Sequence, residues 1–296
     1  MRAVDQINIT TTVRDYRDQK DINGFARLEG IDYAVHSPEQ VLVFARIEDL
    51  HEFVTNEVLK VLNDSREGII VPTGGTYTAI YEKMVARSAD FRPRLQDRDI
   101  ANLDEVWKID PLSPNNVATY SEYMRSHLFH PMRLGQERWI IPDGTVEEPQ
   151  QEANRIENLL ADKKWTLALL GIGPDAKEGL ESSPHIGFIP RGTPPSQGEM
   201  FVKLDEVTYE TNRQGTPEPD KYFTHAITMG PKDITRARRH ILVAKGDTKK
   251  QNMRDTLLEP VGLDRPSSQV LLFPQTTIVL DQQAARKLLK ELNLIS

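Results

Sequence analysis

At 296 residues, with 44 acidic against 37 basic side chains and a net charge of −7, the chain has the length of one large α/β domain and no basic excess suited to a nucleic acid. The densest basic stretch, RARRH at 236–240, reads as a solvated helix end. Cysteine is absent, which excludes disulfides, thiolate metal sites and a cysteine nucleophile. No run of about 18 apolar residues offers a membrane span, and the N-terminus carries no apolar signal region. A cytoplasmic protein with neither nucleic acid nor membrane as partner is expected.

Residues 1–38 show no regular alternation and are expected as an N-terminal extension, with packing or a homo-oligomer contact as its open roles. Residues 39–296 are expected to form a single domain. QVLVFAR (40–46) reads as a strand, and the helix behind it carries apolar residues at Ile47, Leu50, Val54, Val58, Val61 and Leu62, a spacing of three and four. EGIIVP (67–72) is the next strand and leads into a helix near Thr76. A strand ending in NLDE (102–105), a helix over 117–129, a strand RWIIP (138–142) and a helix over 147–163 continue the alternation. WTLALLGIG (165–173) is the most apolar strand. FVKL (201–204), HAITMG (225–230), HILVAKG (240–246) and TTIVLD (276–281) come after it, the last entering a terminal helix, DQQAARKLLKELN. Strands apolar throughout and separated by helices predict a mainly parallel, doubly wound sheet with helices on both faces.

Ligands of such sheets bind outside the carboxyl ends of the strands, and four of these ends carry chemistry. Thr73, Gly74, Gly75 and Thr76 join a strand to a helix, either as an anion cradle or as a plain tight turn; no GK[ST] comes after them, so this is not a P-loop. Asp104 and Glu105 close a second strand, as a solvated cap or as a base aimed into the cleft. Asp175 follows Gly171 and Gly173, and His185 lies ten residues later among Ile186, Gly187 and Phe188. That histidine is either a satisfied structural residue or, beside a carboxylate, half of an acid–base pair. Asp247 or Thr248 is placed to cap a helix, which sets Lys249 in the first turn. A cation is disfavoured there by the helix dipole unless an anion binds. Lys249 therefore reads as a phosphate ligand or a tolerated surface lysine.

In order and spacing these segments resemble the glucosamine-6-phosphate deaminase/isomerase and 6-phosphogluconolactonase superfamily, from about residue 40 to 293. PTGGT (72–76) is similar to its phosphate loop, NLDE to its N-[ML]-D-E motif, GIGPD with HIGF to its G-x-G-x-D-G-H-[IT]-A-[FS] segment, and GDTK (246–249) to its G-x-x-K. The resemblance implies a Rossmann-like fold, a phosphorylated sugar as substrate and no metal or cofactor. It makes Asp104 the general base and Asp175 with His185 the ring-opening pair. Thr73 to Thr76, Lys249 and Arg213 (in TNRQG) would hold the phosphate, and Tyr120 would line the site. NLDE and FPQTTIVLD (273–281) point to the deaminase branch, and GPD to the lactonase branch.

The sequence departs from the family at the catalytic loop. Asp175 and His185 stand ten apart rather than two, and Pro190 occupies the position five after the histidine where deaminases have a glutamate. Glu178 and Glu181, within the insertion, are the candidates to replace it. Lys203 is kept from the strand that carries an allosteric arginine and lysine in some deaminases, but Phe201 stands in place of the arginine.

Overall fold

The computed structural model describes residues 6–296. Among them an eight-stranded sheet runs in the order β1 (Gln6–Asn8), β4 (Gln40–Phe44), β13 (Thr276–Asp281), β12 (Ala237–Ala244), β9 (Trp165–Leu170), β5 (Gly68–Val71), β6 (Ile100–Asn102) and β8 (Trp139–Ile140). From β4 to β8 every pairing is parallel. The doubly wound sheet expected from the apolar strands is the one that forms.

The period-two geometry of a strand divides the side chains between two cores. Val41, Val43, Ile70, Ala168, Leu170, Leu242, Ile278 and Leu280 face one side. There they meet α1 (Thr10–Gln19), α6 (Pro149–Ala161), α8 (Pro231–Ile234), α9 (Lys250–Leu258) and α10 (Gln282–Glu291). Leu42, Phe44, Ile69, Val71, Leu167, Leu169, Val243 and Val279 face the other. That side is closed by α2 (Ile47–Asp64), α3 (Thr78–Ala86), α4 (Ser88–Leu95) and α5 (Tyr120–Met124), which runs on into a wider turn over Arg125–Phe129. On α2 the buried Leu50, Val54, Val58, Val61 and Leu62 keep the spacing visible in the sequence, and Glu48 and Asp49 sit at its positive end.

One feature departs from the sequence reading. FVKL and HAITMG do not extend the parallel sheet. They form β10 (Met200–Lys203) and β11 (His225–Thr228), which pair antiparallel with each other, and β11 pairs antiparallel with β7 (Asp104–Val106) in a separate three-stranded sheet. A helix, α7 (Glu206–Arg213), joins β10 to β11. The two strands are only four residues long and carry Lys203 and His225, and periodicity alone does not assign such short strands to a sheet.

The described part of the N-terminal segment, for which packing was one of the open roles, lies against the main body. β1 lies antiparallel to β4 at the sheet edge, and β2 (Gly24–Leu28) and β3 (Ile31–Val35) make a hairpin. Arg17, with its side chain fully buried, fastens α1 to the end of α9. Its guanidinium donates to the carbonyls of Leu257 (2.9 Å), Glu259 (3.2 Å) and Ile22 (2.6 Å) and to Asn23 Oδ1 (2.8 Å). A cation at a helix C-terminus meets unpaired carbonyls and the negative end of the dipole, although burial lowers its pKa to about 10. Arg17→Ala strips these carbonyls of their donors and is expected to cost on the order of 2–4 kcal/mol, read as a lower urea midpoint.

Candidate active site

The site is built where the chain changes sheets. The Leu103 N–H donates to Val71 O of β5, while its carbonyl accepts from Met229 N just beyond β11, both at 2.9 Å. One residue is thus stitched to both sheets, and the next, Asp104, begins β7 between them. Asp104 is 4% exposed. Its Oδ1 accepts from the Thr228 hydroxyl, whose oxygen accepts in turn from Phe188 N at 3.1 Å. Burial raises the Asp104 pKa to about 7; the Thr228 bond opposes the shift and the neighbouring Glu105 adds to it.

Glu105 is fully buried and organises the wall opposite. Its carboxyl accepts from the amides of Val106 (2.9 Å), Tyr120 (2.8 Å) and Ser121 (2.7 Å), so it caps the start of α5 from a distance. Those bonds lower its pKa, but burial outweighs them and leaves it raised. They also bring Tyr120 to the site. The Tyr120 hydroxyl accepts from Asn212 Nδ2 at 3.3 Å, and its ring centroid lies 5.8 Å from that of Phe188.

His185 is 5% exposed, and its turn leans on Asp104. A side chain at Gly187, where φ is +56°, would come within 3.0 Å of Asp104 Oδ1 and 2.9 Å of Thr228 Oγ1. A methyl at Gly173 would lie 2.6 Å from His185 Nε2 and Cε1, and Gly173 N donates to His185 O at 2.7 Å. Both glycines allow backbone to approach the Asp104 and His185 side chains closely.

Asp175 does not pair with His185 as the resemblance implied. Its two oxygens accept from Gln251 N (3.1 Å) and Asn252 N (2.9 Å) at the start of α9. Neither Asp247 nor Thr248 caps this helix: residues 247–249 form a 3₁₀ turn, and Asp175 supplies the acceptors. The carboxylate on His185 is Asp205 Oδ2, 3.3 Å from Nδ1. Glu178 and Glu181 in the insertion are exposed. Glu181 uses its backbone instead, accepting from Val207 N at 3.1 Å and donating to Glu206. The sequence signal at Asp205 was an aspartate one residue before a helix, which by itself announces a cap.

Two of the anion-binding candidates, the 73–76 loop and Lys249, come after β5 and β12, which flank β9 in the sheet. Nothing lies within 4 Å of where side chains would sit on Gly74 and Gly75, so the loop is open in front. Asn102 Nδ2 donates to Thr73 Oγ1 (3.1 Å) and Asp104 O (2.7 Å), tying the loop to the NLDE segment. Thr76 precedes Tyr77, the residue from which α3 starts. Among the described residues Lys249 makes no ion pair within 4 Å; burial pulls its pKa down to about 8, and Asp175 pulls it back up. Arg213 is held by Glu210 (2.9 Å) and Asp220 (3.2 Å) at the end of α7, and no described hydrogen bond joins it to Lys249 or the 73–76 loop.

No protein-family model matches the chain. It is 32% identical over 236 residues to a glucosamine-6-phosphate deaminase from Streptococcus thermophilus, an alignment spanning 79% of this chain and 94% of the relative. The structure of a monomeric glucosamine-6-phosphate deaminase superposes with a TM-score of 0.74 at 25% identity, over 83% of this chain and 99% of that one. A 6-phosphogluconolactonase from Leishmania guyanensis superposes with a TM-score of 0.62 at 14% identity, over 83% and 97%, a likeness of fold alone.

A buried carboxyl with a pKa raised from 3.8 to about 7 takes up its proton in the folded state before it does in the unfolded chain. Between those values the folded state binds more protons, so this group's contribution to stability falls as pH rises through that window. Asp104→Asn keeps an acceptor for Thr228 and removes the charge. Its melting temperature at pH 8 is expected to exceed the wild type's by a few degrees, on the order of 1–3 kcal/mol, with the gap narrowing as pH falls below about 7 and closing only near the unfolded value of 3.8 in paired thermal melts.

Proposed function

The chain belongs to the glucosamine-6-phosphate deaminase family, and we propose that it converts glucosamine 6-phosphate and water into fructose 6-phosphate and ammonia. The observation that carries the reading is Asp104. A carboxylate buried between two sheets, with a pKa near 7 and its acceptor oxygen at the glycine turn of His185, suits proton transfer at neutral pH.

In this reading the sugar phosphate lies across the strand ends. Its phosphate takes backbone N–H groups of the 73–76 loop and the ammonium of Lys249; the glycines leave room for the oxygens to approach. The phosphate dianion favours the charged lysine and so offsets the desolvation that lowers its pKa. Arg213, paired with two carboxylates, is not assigned to the phosphate. His185 moves the proton that opens the pyranose ring between the ring oxygen and the C1 hydroxyl. Ionised Asp104 removes the proton from C2 of the open aldose, leaving an enolamine across C1 and C2, and returns it to C1. The resulting C2 imine takes up water and loses ammonia, giving the ketose phosphate. Tyr120 and Phe188 wall the cleft beside the reacting carbons.

The test measures ammonia and fructose 6-phosphate released together from glucosamine 6-phosphate. Equal amounts are expected, with kcat/KM rising as pH increases through about 7 because the base must be ionised. Asp104→Asn is expected to lower kcat by roughly 10²–10⁴-fold. Saturable binding of the sugar phosphate without either product would overturn the assignment. Lys249→Ala removes one charge-assisted bond and is expected to raise KM about 10–100-fold while leaving kcat within a few-fold; a KM unchanged from wild type removes Lys249 from the phosphate site.

A further inference from the structure

We infer that Asp205 is the positioning residue for His185, holding the imidazole with its proton on Nδ1 and its Nε2 lone pair free for the sugar ring. The inference rests on the deaminase reading for the reaction, but on geometry alone for the pair.

The two carboxylates that the family resemblance assigns to this histidine are not at hand. Asp175 is taken by the amides of Gln251 and Asn252, and Pro190 has no carboxyl to offer. Among the described residues Asp205 is the acid within 4 Å of the ring, at 3.3 Å from Nδ1. The two are 20 residues apart in sequence and on different elements, and both are largely buried, with side chains 7% and 15% exposed. A carboxylate accepts and cannot donate, so its partner nitrogen carries the proton and the other is left free. Nε2 is the edge that lies against Gly173, the residue whose missing side chain makes room for it.

Asp205 is itself held from several directions, which a positioning group requires. Its Oδ1 accepts from Thr208 N at 2.8 Å and so caps α7, and its Oδ2 also accepts from Ser183 N at 3.2 Å. Together with His185 these donors keep it ionised and its pKa below the ordinary aspartate value, against the opposing effect of burial. The bond to Ser183 anchors the insertion two residues before the histidine. The inserted loop, which separates Asp175 from His185 in sequence, is thus tied down by the residue that replaces Asp175 at the ring.

Asp205→Asn separates positioning from capping. With the amide oxygen kept on Thr208 N, the cap survives, but the NH₂ group then faces the Ser183 N–H and His185 Nδ1, donor against donor. A ring that accepts from it must carry its proton on Nε2. In ¹⁵N-labelled protein above the titration range, the His185 nitrogens are expected to show Nδ1-H in the wild type and to change to Nε2-H or a mixture in Asp205→Asn. With glucosamine 6-phosphate, kcat is expected to fall roughly 10²-fold, KM to change less than threefold, and the melting temperature to stay within a few degrees.

An unchanged imidazole tautomer would overturn the inference even if kcat fell, because the loss would then come through α7 or the loop. A changed tautomer with kcat within twofold of wild type would overturn the role in the reaction. Wild-type protein that releases no ammonia would count against the deaminase reading instead, and the nitrogen spectra would still decide the pair.

Discussion

The site depends on the backbone bonds of Leu103. With its N–H on β5 and its carbonyl on the strand extension after β11, this residue carries the chain from one sheet to the other in a single step. The next residue must be extended, buried and flanked by both sheets, and that residue is Asp104. An unpaired carboxylate in that position costs free energy, and the fold tolerates it because Thr228 and the turn at Phe188 supply a short chain of hydrogen bonds. The same burial that makes the residue costly gives it a pKa suited to a base at neutral pH. Sites of this kind commonly trade stability for chemistry.

Around that point acids are used as organisers of backbone as much as reagents. Glu105 holds the start of α5 and with it Tyr120; Asp175 holds the start of α9 and sits electrostatically beside Lys249; Asp205 holds the start of α7 and touches His185. In each case a carboxyl group accepts from unpaired N–H groups at the positive end of a helix, which offsets part of the cost of its burial. The net effect is a cleft whose walls are placed by capping bonds. Lys249 remains without an ion pair of its own among the described residues, and a bound phosphate would supply one.

The range of each interaction divides the legible features from the rest. Helix α2 could be read because its apolar spacing is a local property, and the parallel strands because they are apolar on both faces. The positions of Thr73–Thr76, Asp104 and Lys249 in the segments that come after β5, β6 and β12 were legible for the same reason, since loops after parallel strands gather at one edge of the sheet. The hairpin at 24–35 and the edge strand β1 were not, being short, polar in part and held by distant partners such as the contact of Arg17 with Leu257.

The sequence by itself determined the doubly wound architecture, the edge of the sheet where the candidate site lies and the residue types gathered there. Those stem from hydrophobic periodicity and from short motifs whose members are neighbours in the chain. Only the tertiary structure decided the pairings: that Asp175 caps α9, that Asp205 meets His185, that Arg213 is taken by Glu210 and Asp220, and that β7, β10 and β11 form a second sheet. A carboxylate carries no mark of which donor it will find. That choice is made by packing, when an inserted loop and a helix from another part of the chain bring Ser183, His185 and Asp205 within a few ångströms of one another.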